Sequence, residues 1–387
     1  MKKYIILSWI LVLQLSCSSQ NDQNEGEIIE VRNFGKFIET DQFDILPFFD
    51  KSTYILLDVP EELELYQADK ILAGDGLYFI MDAELGNGIF IFEETGNFVA
   101  EIPIGGNGPG EIPDLEDLTY NFDTKTLLVL GAYGRKLFEF STIGEFIRDI
   151  SLPENRFFNY IAYAGNDLIY LHTLPSPSYA QMKDERMVTA LQLSSMEIIA
   201  EHLPVPVGLK YNITGEKPLT FQTGKVVFAR AFGNRIHIFQ KKGNLEKEIL
   251  LQALAPTNNL YEKETLNQFM DLLADKNELA FADNYLETEN LDFLLLVKSG
   301  SLTRWGVWDK KNGKFNLANT LFDSNINMPL LPHLEIDDRK VMKLFNDEFF
   351  EIYLNEVGHE DYLRKIEEMV PGFRDKTRKF ILCIYEN

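Results

Sequence analysis

Apolar and polar positions alternate in short runs along most of the chain, and one pair of such runs around a glycine recurs three times. The copies occupy residues 89–102, 137–150 and 236–249, and the second begins 48 residues after the first, 137 minus 89. Each copy predicts a β-hairpin, because β-branched and aromatic residues alternate with polar ones on both sides of a turn glycine. A lone hairpin cannot bury its apolar face. Repetition at this spacing therefore predicts stacked four-stranded blades, as in a β-propeller.

Further β-prone runs fill the intervals between these hairpins. They lie at residues 29–31, 43–45, 54–57, 77–81, 127–130, 167–171, 190–193, 198–200, 226–228, 293–297, 305–315 and 379–385. At roughly 40 to 50 residues per blade, the chain has room for six blades. We therefore expect an all-β fold, a six-bladed β-propeller with short helical insertions, formed as one domain by residues 28–387.

Two segments have helical spacing of their apolar residues and interrupt the β pattern. The first stripe consists of Leu266, Phe269, Met270 and Leu273, and the second of Leu363, Ile366 and Val370. Each stripe predicts a helix that packs one face against the propeller. A partner-binding amphipathic helix is the alternative interpretation.

The amino terminus has the order of an export signal. Lys2 and Lys3 precede an apolar run that ends at Leu15, followed by Ser16 and Cys17. Residues 1–16 resemble a bacterial lipoprotein signal peptide, which implies cleavage before Cys17 and lipid attachment to that cysteine. Residues 17–27 form a polar tether, and the run before it is too short to span a bilayer. The resemblance implies an outer-membrane lipoprotein, with its periplasmic or surface side left open.

Charge narrows the range of partners. The 387 residues include 37 basic and 60 acidic side chains, so the net charge is −23. A surface of this sign repels phosphate backbones, and we expect no nucleic-acid partner. The membrane would be contacted through the anchor, and the protein is expected to be a monomer. Cys383 is the one cysteine beyond the predicted lipid site, and its apolar surroundings predict a buried structural thiol.

Motifs for chemistry are weak. The Gly105–Glu111 connector is rich in glycine, but it lacks the Lys-Ser/Thr pair of a phosphate-binding loop, so a structural crossover is preferred. The histidines lie far apart in sequence, at His172, His202, His237, His333 and His359. Distant histidines from different blades remain able to meet around a metal ion in a central channel.

Carboxylates and aromatic residues are the remaining candidate groups. Three adjacent pairs of acids, Glu93-Glu94, Asp337-Asp338 and Glu367-Glu368, are expected to face solvent. Trp305 and Trp308 are three positions apart, so on a regular strand they point to opposite faces. Packing between blades is the expected use of both, and stacking of an exposed one on a sugar or a peptide is the alternative. We assign no catalytic, cofactor-binding or metal-binding residue and expect no cofactor.

Several segments together resemble the six-bladed β-propeller lipoproteins of bacterial envelopes, relatives of the NHL-repeat and TolB-like propellers. They are Tyr54–Asp58, Asp69–Ile71, Leu77–Ile102 and the Gly105–Glu111 connector. The resemblance implies a fold and an envelope location, and it implies no reaction or ligand.

Three functional hypotheses follow. The first is a lipid-anchored envelope propeller that binds a protein, peptide or glycan. The alternative is a metal-dependent propeller enzyme, a lyase or lactone hydrolase with its site in the central channel. The third is a structural subunit of a larger envelope complex. The fold alone does not choose among them.

Overall fold

The computed structural model describes residues 28–106, 108, 110–153, 156–173, 186–204, 217–254, 279–298, 302–330, 334–356 and 359–387. The predicted signal peptide and tether, the predicted helix around Leu266, Pro109 and His333 lie outside these residues. No helix in the described ranges is long and apolar enough to cross a membrane.

Five four-stranded blades surround a central channel. Blade 1 comprises β4 (Lys70–Gly74), β5 (Leu77–Asp82), β6 (Gly88–Glu93) and β7 (Phe98–Pro103). Blade 2 comprises β8 (Leu115–Asn121), β9 (Thr126–Gly131), β10 (Lys136–Ser141) and β11 (Phe146–Ser151). Blade 3 comprises β12 (Tyr160–Gly165), β13 (Leu168–His172), β14 (Arg186–Gln192) and β15 (Ile198–Pro204). Blade 4 comprises β16 (Leu219–Gln222), β17 (Lys225–Ala229), β18 (Arg235–Phe239) and β19 (Leu245–Gln252).

Blade 5 takes strands from both ends of the described chain. It comprises β25 (Glu335–Asp337), β26 (Lys340–Phe345), β27 (Ile381–Glu386) and β3 (Lys51–Leu56). β3 pairs antiparallel with β27 and forms the outer edge of the blade. The ring is therefore closed by hydrogen bonds between an early strand and the last strand, which removes an open sheet edge.

A sixth sheet lies between blades 4 and 5, outside the ring. It comprises β20 (Leu279–Glu287), β21 (Leu291–Lys298), β22 (Leu302–Asp309) and β23 (Lys314–Asp323), with β24 (Met328–Leu330) paired to β23. The innermost strands β16 and β25 meet directly, through a parallel bridge between Gln222 and Asp338.

The prediction of six blades around one axis is therefore wrong, because five blades form the ring. The buried side chain of Gln222 explains how the sixth sheet is attached. Its amide nitrogen donates to the Tyr285 carbonyl at 2.8 Å, and its amide oxygen accepts from the Glu287 backbone N–H at 2.6 Å. The backbone of β20 is thus hydrogen-bonded to a side chain of β16, whereas the backbone of β16 is hydrogen-bonded to Asp338, the residue that follows β25. The all-β propeller fold itself is confirmed.

The amino-terminal segment runs along the outside of two neighbouring sheets. β1 (Ile28–Asn33) pairs in parallel with β19, and β2 (Ile38–Asp44) pairs in parallel with β23. Arg32 on β1 contacts the buried carboxylate of Asp292 on β21 at 3.4 Å, and Lys310 contacts the same carboxylate at 2.8 Å. The Arg32–Asp292 ion pair attaches the segment to the sixth sheet, whereas Lys310 lies within that sheet, in the turn after β22.

The repeated hairpins of the sequence are the two outer strands of blades 1, 2 and 4. In each, the register shifts by one residue just before the turn, and the turn glycine has a positive φ: 90° at Gly96, 82° at Gly144 and 90° at Gly243. A side chain is strained in this conformation. At Gly96 there is also no space, because an added Cβ would lie 2.2 Å from the Leu56 carbonyl oxygen.

The two described α-helices follow β26. They are α1 (Asp347–Glu356) and α2 (His359–Met369), and short 3-10 turns occur at Leu46–Phe48 and Phe373–Asp375. The predicted apolar stripe of the second segment is confirmed as internal packing, since Ile366 and Val370 are buried in the core between blade 5 and the sixth sheet.

Candidate functional site

The ring encloses a channel cavity of about 1180 Å³. The innermost strands β4, β8, β12, β16 and β25 supply most of its wall, and the sixth sheet contributes Leu286. This volume is slightly above the usual range for ligand pockets. The cavity is therefore the main candidate site of the described residues.

Two ion pairs cross from blade to blade inside the cavity. Lys70 of β4 contacts Asp117 of β8 at 2.7 Å, and Lys217, just before β16, contacts Glu335 of β25. Both carboxylates are buried. Burial of a carboxylate is costly unless a cation or a hydrogen-bond donor is close, so these lysines compensate charges that the ring has buried.

Polar side chains also accept hydrogen bonds from the backbone of the neighbouring innermost strand. Asp117 Oδ2 accepts from the Ile161 N–H at 2.8 Å, Thr119 Oγ1 accepts from the Tyr163 N–H at 3.0 Å, and Asp337 Oδ2 accepts from the Ala73 N–H at 2.7 Å. Each side chain satisfies a donor that the sheet itself leaves unpaired. The channel polarity is therefore partly structural.

Burial changes the acid–base properties of the wall. It raises the pKa of Asp337 to about 6, although the Ala73 N–H and Lys70 act in the opposite direction. It raises the pKa of Asp117 above its ordinary value despite Lys70, and it lowers the pKa of Lys343 to about 8. Groups that titrate this close to neutrality are common in functional sites and also in structural ion pairs.

One end of the channel differs from the rest because it is rich in aromatic side chains. We call this end the turn mouth, and it is formed where the innermost strands turn into the next strands, with Lys241 added from the turn between β18 and β19. Its residues are Asp75, Tyr120, Phe122, Phe221, Lys241, Asp338 and Arg339.

The aromatic rings of the turn mouth pack as a group. The ring centroids of Phe122 and Phe221 are 5.6 Å apart, and Phe122 also contacts the buried ring of Tyr163 at 5.0 Å. The ammonium of Lys241 lies 5.6 Å from the Phe122 ring centroid. Phe122 is 37% exposed, so part of its ring remains accessible to a ligand.

The residues singled out in the sequence are scattered. The glycine-rich connector is a structural crossover, closed by a bridge between Ile104 and Ile112, with Glu111 accepting the Gly108 N–H at 2.6 Å. Cys383 is buried as predicted, and burial raises the pKa of its thiol. Trp305 is buried and Trp308 half-buried against Phe34, so neither tryptophan lines the cavity.

The histidines with described side chains do not meet in the channel. His172 is buried on β13, His202 bonds to the Gly243 carbonyl, and His237 contacts Glu248 at 3.1 Å. Within the described ranges, no three histidine, cysteine or acidic side chains are grouped to hold a metal ion. Cys17, the predicted lipid site, lies outside these ranges.

The acid pairs behave differently from one another. Glu93 and Glu94 are exposed, as expected, whereas Asp337 and Asp338 line the channel, contrary to the prediction that they face solvent. The sequence missed the turn mouth, because its members come from separate blades and carry no shared motif. Apart from Lys241, which follows β18, their common signal is position, at or just after an innermost strand.

The fold agrees with the comparisons to known proteins. A family model described as "Domain of unknown function (DUF4934)" matches residues 29–370. The chain belongs to the DUF4934 family. No curated protein matches its sequence significantly.

Solved structures share the fold of this DUF4934 chain at low sequence identity. A Bacteroides fragilis protein classed as exported has a TM-score of 0.68 at 13% identity, over 93% of this chain and 99% of that one. A member of the DUF4221 family from Bacteroides vulgatus has a TM-score of 0.49 at 13% identity, over 88% and 97%. At this identity the first likeness shows a shared propeller fold and no more, and the NHL and TolB relationship stays a prediction.

Proposed function

We propose that this DUF4934 chain is an exported propeller, anchored by lipid at Cys17, that binds a peptide or glycan ligand in its central channel. The observation that carries the proposal is the cavity of about 1180 Å³, which is lined by residues of all five blades and has aromatic rings at one end, the turn mouth. A concave site with a few convergent polar groups is the usual form of a ligand pocket.

The wall of the channel supports binding by a rigid site. Its carboxylates and lysines already bond to neighbouring innermost strands, so they hold the blades in place before a ligand arrives. A preformed site loses little conformational entropy on binding. The export signal and the lipoprotein-like Cys17 support a position where extracellular peptides and glycans are available.

The test combines a ligand screen with lysine labelling. The chain is screened by native mass spectrometry against mixed short peptides and neutral oligosaccharides, and any bound member is added before acetylation. Lys241 and its neighbour Lys242 are both exposed, but only Lys241 lines the channel. We expect the ligand to slow acetylation of Lys241 and to leave Lys242 unchanged. Equal labelling of both lysines in the complex, or no binding by either library, would overturn the proposal.

A further inference from the structure

The channel offers little to a peptide that binds as an added strand. Such a peptide needs free backbone groups on a sheet edge. On the channel side of the innermost strands β4 and β12, the N–H groups of Ala73, Ile161 and Tyr163 already donate to side chains of adjacent blades. On β16 and the turn after β25, the Asp338 N–H donates to the Phe221 carbonyl at 3.2 Å. A ligand must therefore be recognised by side chains.

The turn mouth presents two kinds of side chain to such a ligand. Phe122 and Phe221 form an apolar surface, and Tyr120 packs on Phe79 with ring centroids 5.6 Å apart. Asp75, Asp338 and Arg339 supply polar groups on the neighbouring turns.

These two kinds of group lie next to each other. The backbone N–H of Asp338 donates a hydrogen bond to the Phe221 carbonyl. Burial raises the pKa of Tyr120 to about 12, and the nearby charge of Asp75 adds to this effect. A ligand that covers the aromatic surface therefore comes within reach of the carboxylates.

We propose that the turn mouth binds a neutral hexopyranose unit of a glycan; this inference rests on the proposed function. A pyranose has an apolar C–H face, which packs on an aromatic ring, and a rim of hydroxyl groups, which bond to carboxylate and guanidinium groups. The net charge of −23 disfavours acidic saccharides, so the saccharide is neutral.

The decisive variants remove the ring face of Phe122. Linear hexasaccharides of glucose, mannose and galactose are titrated calorimetrically into the full chain and into Phe122→Leu, which keeps apolar bulk, and Phe122→Ala. We expect both variants to bind the active hexasaccharide at least ~5-fold more weakly, since loss of an aromatic contact typically raises the dissociation constant by about this factor. Phe146→Ala is the matched control, because Phe146 is 39% exposed against 37% for Phe122 and lies on the outer strand β11.

The outcomes separate this inference from the proposed function. Weaker binding in both Phe122 variants with unchanged binding in Phe146→Ala supports the inference. A hexasaccharide that binds all four proteins equally overturns the turn mouth as the site. If peptides bind and protect Lys241 while no hexasaccharide binds, the ligand class is wrong and the proposed function stands. If neither class binds, both are wrong.

Discussion

Replacing His172 by phenylalanine should stabilise the protein, and the gain should grow in acid. His172 is 1% exposed at the end of β13, and neither ring nitrogen has a hydrogen-bond partner among the described residues. Its ring lies between those of Tyr160 and Phe228, with centroid distances of 5.7 Å and 5.2 Å. The site is therefore shaped for an aromatic ring and is poor in polar partners. Phenylalanine preserves the ring contacts and removes the unpaired nitrogens.

The magnitude follows from proton linkage. Burial lowers the pKa of His172 from 6.5 to about 3. Below about pH 6.5 the folded state thus binds fewer protons than the unfolded state. The unfolding free energy of the wild type therefore falls as the pH falls below about 6.5, and above that pH His172 has no such effect. At pH 5 the loss is about 2 kcal/mol, from roughly 1.5 pH units at ~1.36 kcal/mol each. Removing the buried unpaired nitrogens adds ~1 to 3 kcal/mol at either pH.

The assay is urea unfolding at pH 8 and pH 5, followed by circular dichroism. Between these two values we expect the wild type to lose about 2 kcal/mol more unfolding free energy than His172→Phe. His202→Phe is the control, because it removes a half-buried histidine whose ring bonds to the Gly243 carbonyl and leaves His172 in place. The reasoning is refuted if His172→Phe shows the same loss between pH 8 and pH 5 as the wild type.

Three other predictions concern the anchor, the closing blade and a buried acid. Cys17→Ala should move the protein from the membrane fraction to the soluble fraction, and continued membrane association would contradict lipid attachment at this residue. Deleting residues 379–387 should abolish cooperative unfolding, because β27 lies between β26 and β3; an unchanged urea midpoint would show that the ring closes without it. Burial raises the pKa of Asp292 from 3.8 to about 6, so it makes the wild type less stable as the pH rises through this window. In Asp292→Asn this pH-dependent loss, about 3 kcal/mol at most, should be absent from unfolding free energies measured at pH 4 and pH 7, and an equal loss in both proteins would contradict the assignment.

The sequence predicts the outer hairpins well and the innermost strands poorly, for a physical reason. The outer hairpins have a long alternating pattern around a glycine, whereas β25 is three residues long and contains Glu335 and Asp337. Such a polar strand looks like a loop until its carboxylates are seen bonding to adjacent blades. The number of repeats in the sequence also does not show whether each sheet lies in the ring or outside it. The sequence therefore predicts six blades, whereas five form the ring.

The candidate site was less predictable than the fold. Phe122, Phe221 and Lys241 are brought together from blades 2 and 4 by the tertiary fold, and nothing in their local sequence distinguishes them from packing or surface residues. The assignment of residues 28–387 to one domain stays a prediction, as do the monomeric state and the outer-membrane location.

The shared closing blade has a consequence for how the chain acquires its structure during synthesis. β3 ends at Leu56 and its partner β27 begins at Ile381, a separation of 325 residues, 381 minus 56. The early strand therefore has no partner until the ribosome has synthesised the chain as far as β27, and loop closure over this length is slow. A nascent chain interrupted before Ile381 would lack β27 and leave the edges of β3 and β26 unpaired and open to aggregation. Synthesis of β27 is thus the step that allows the ring to close.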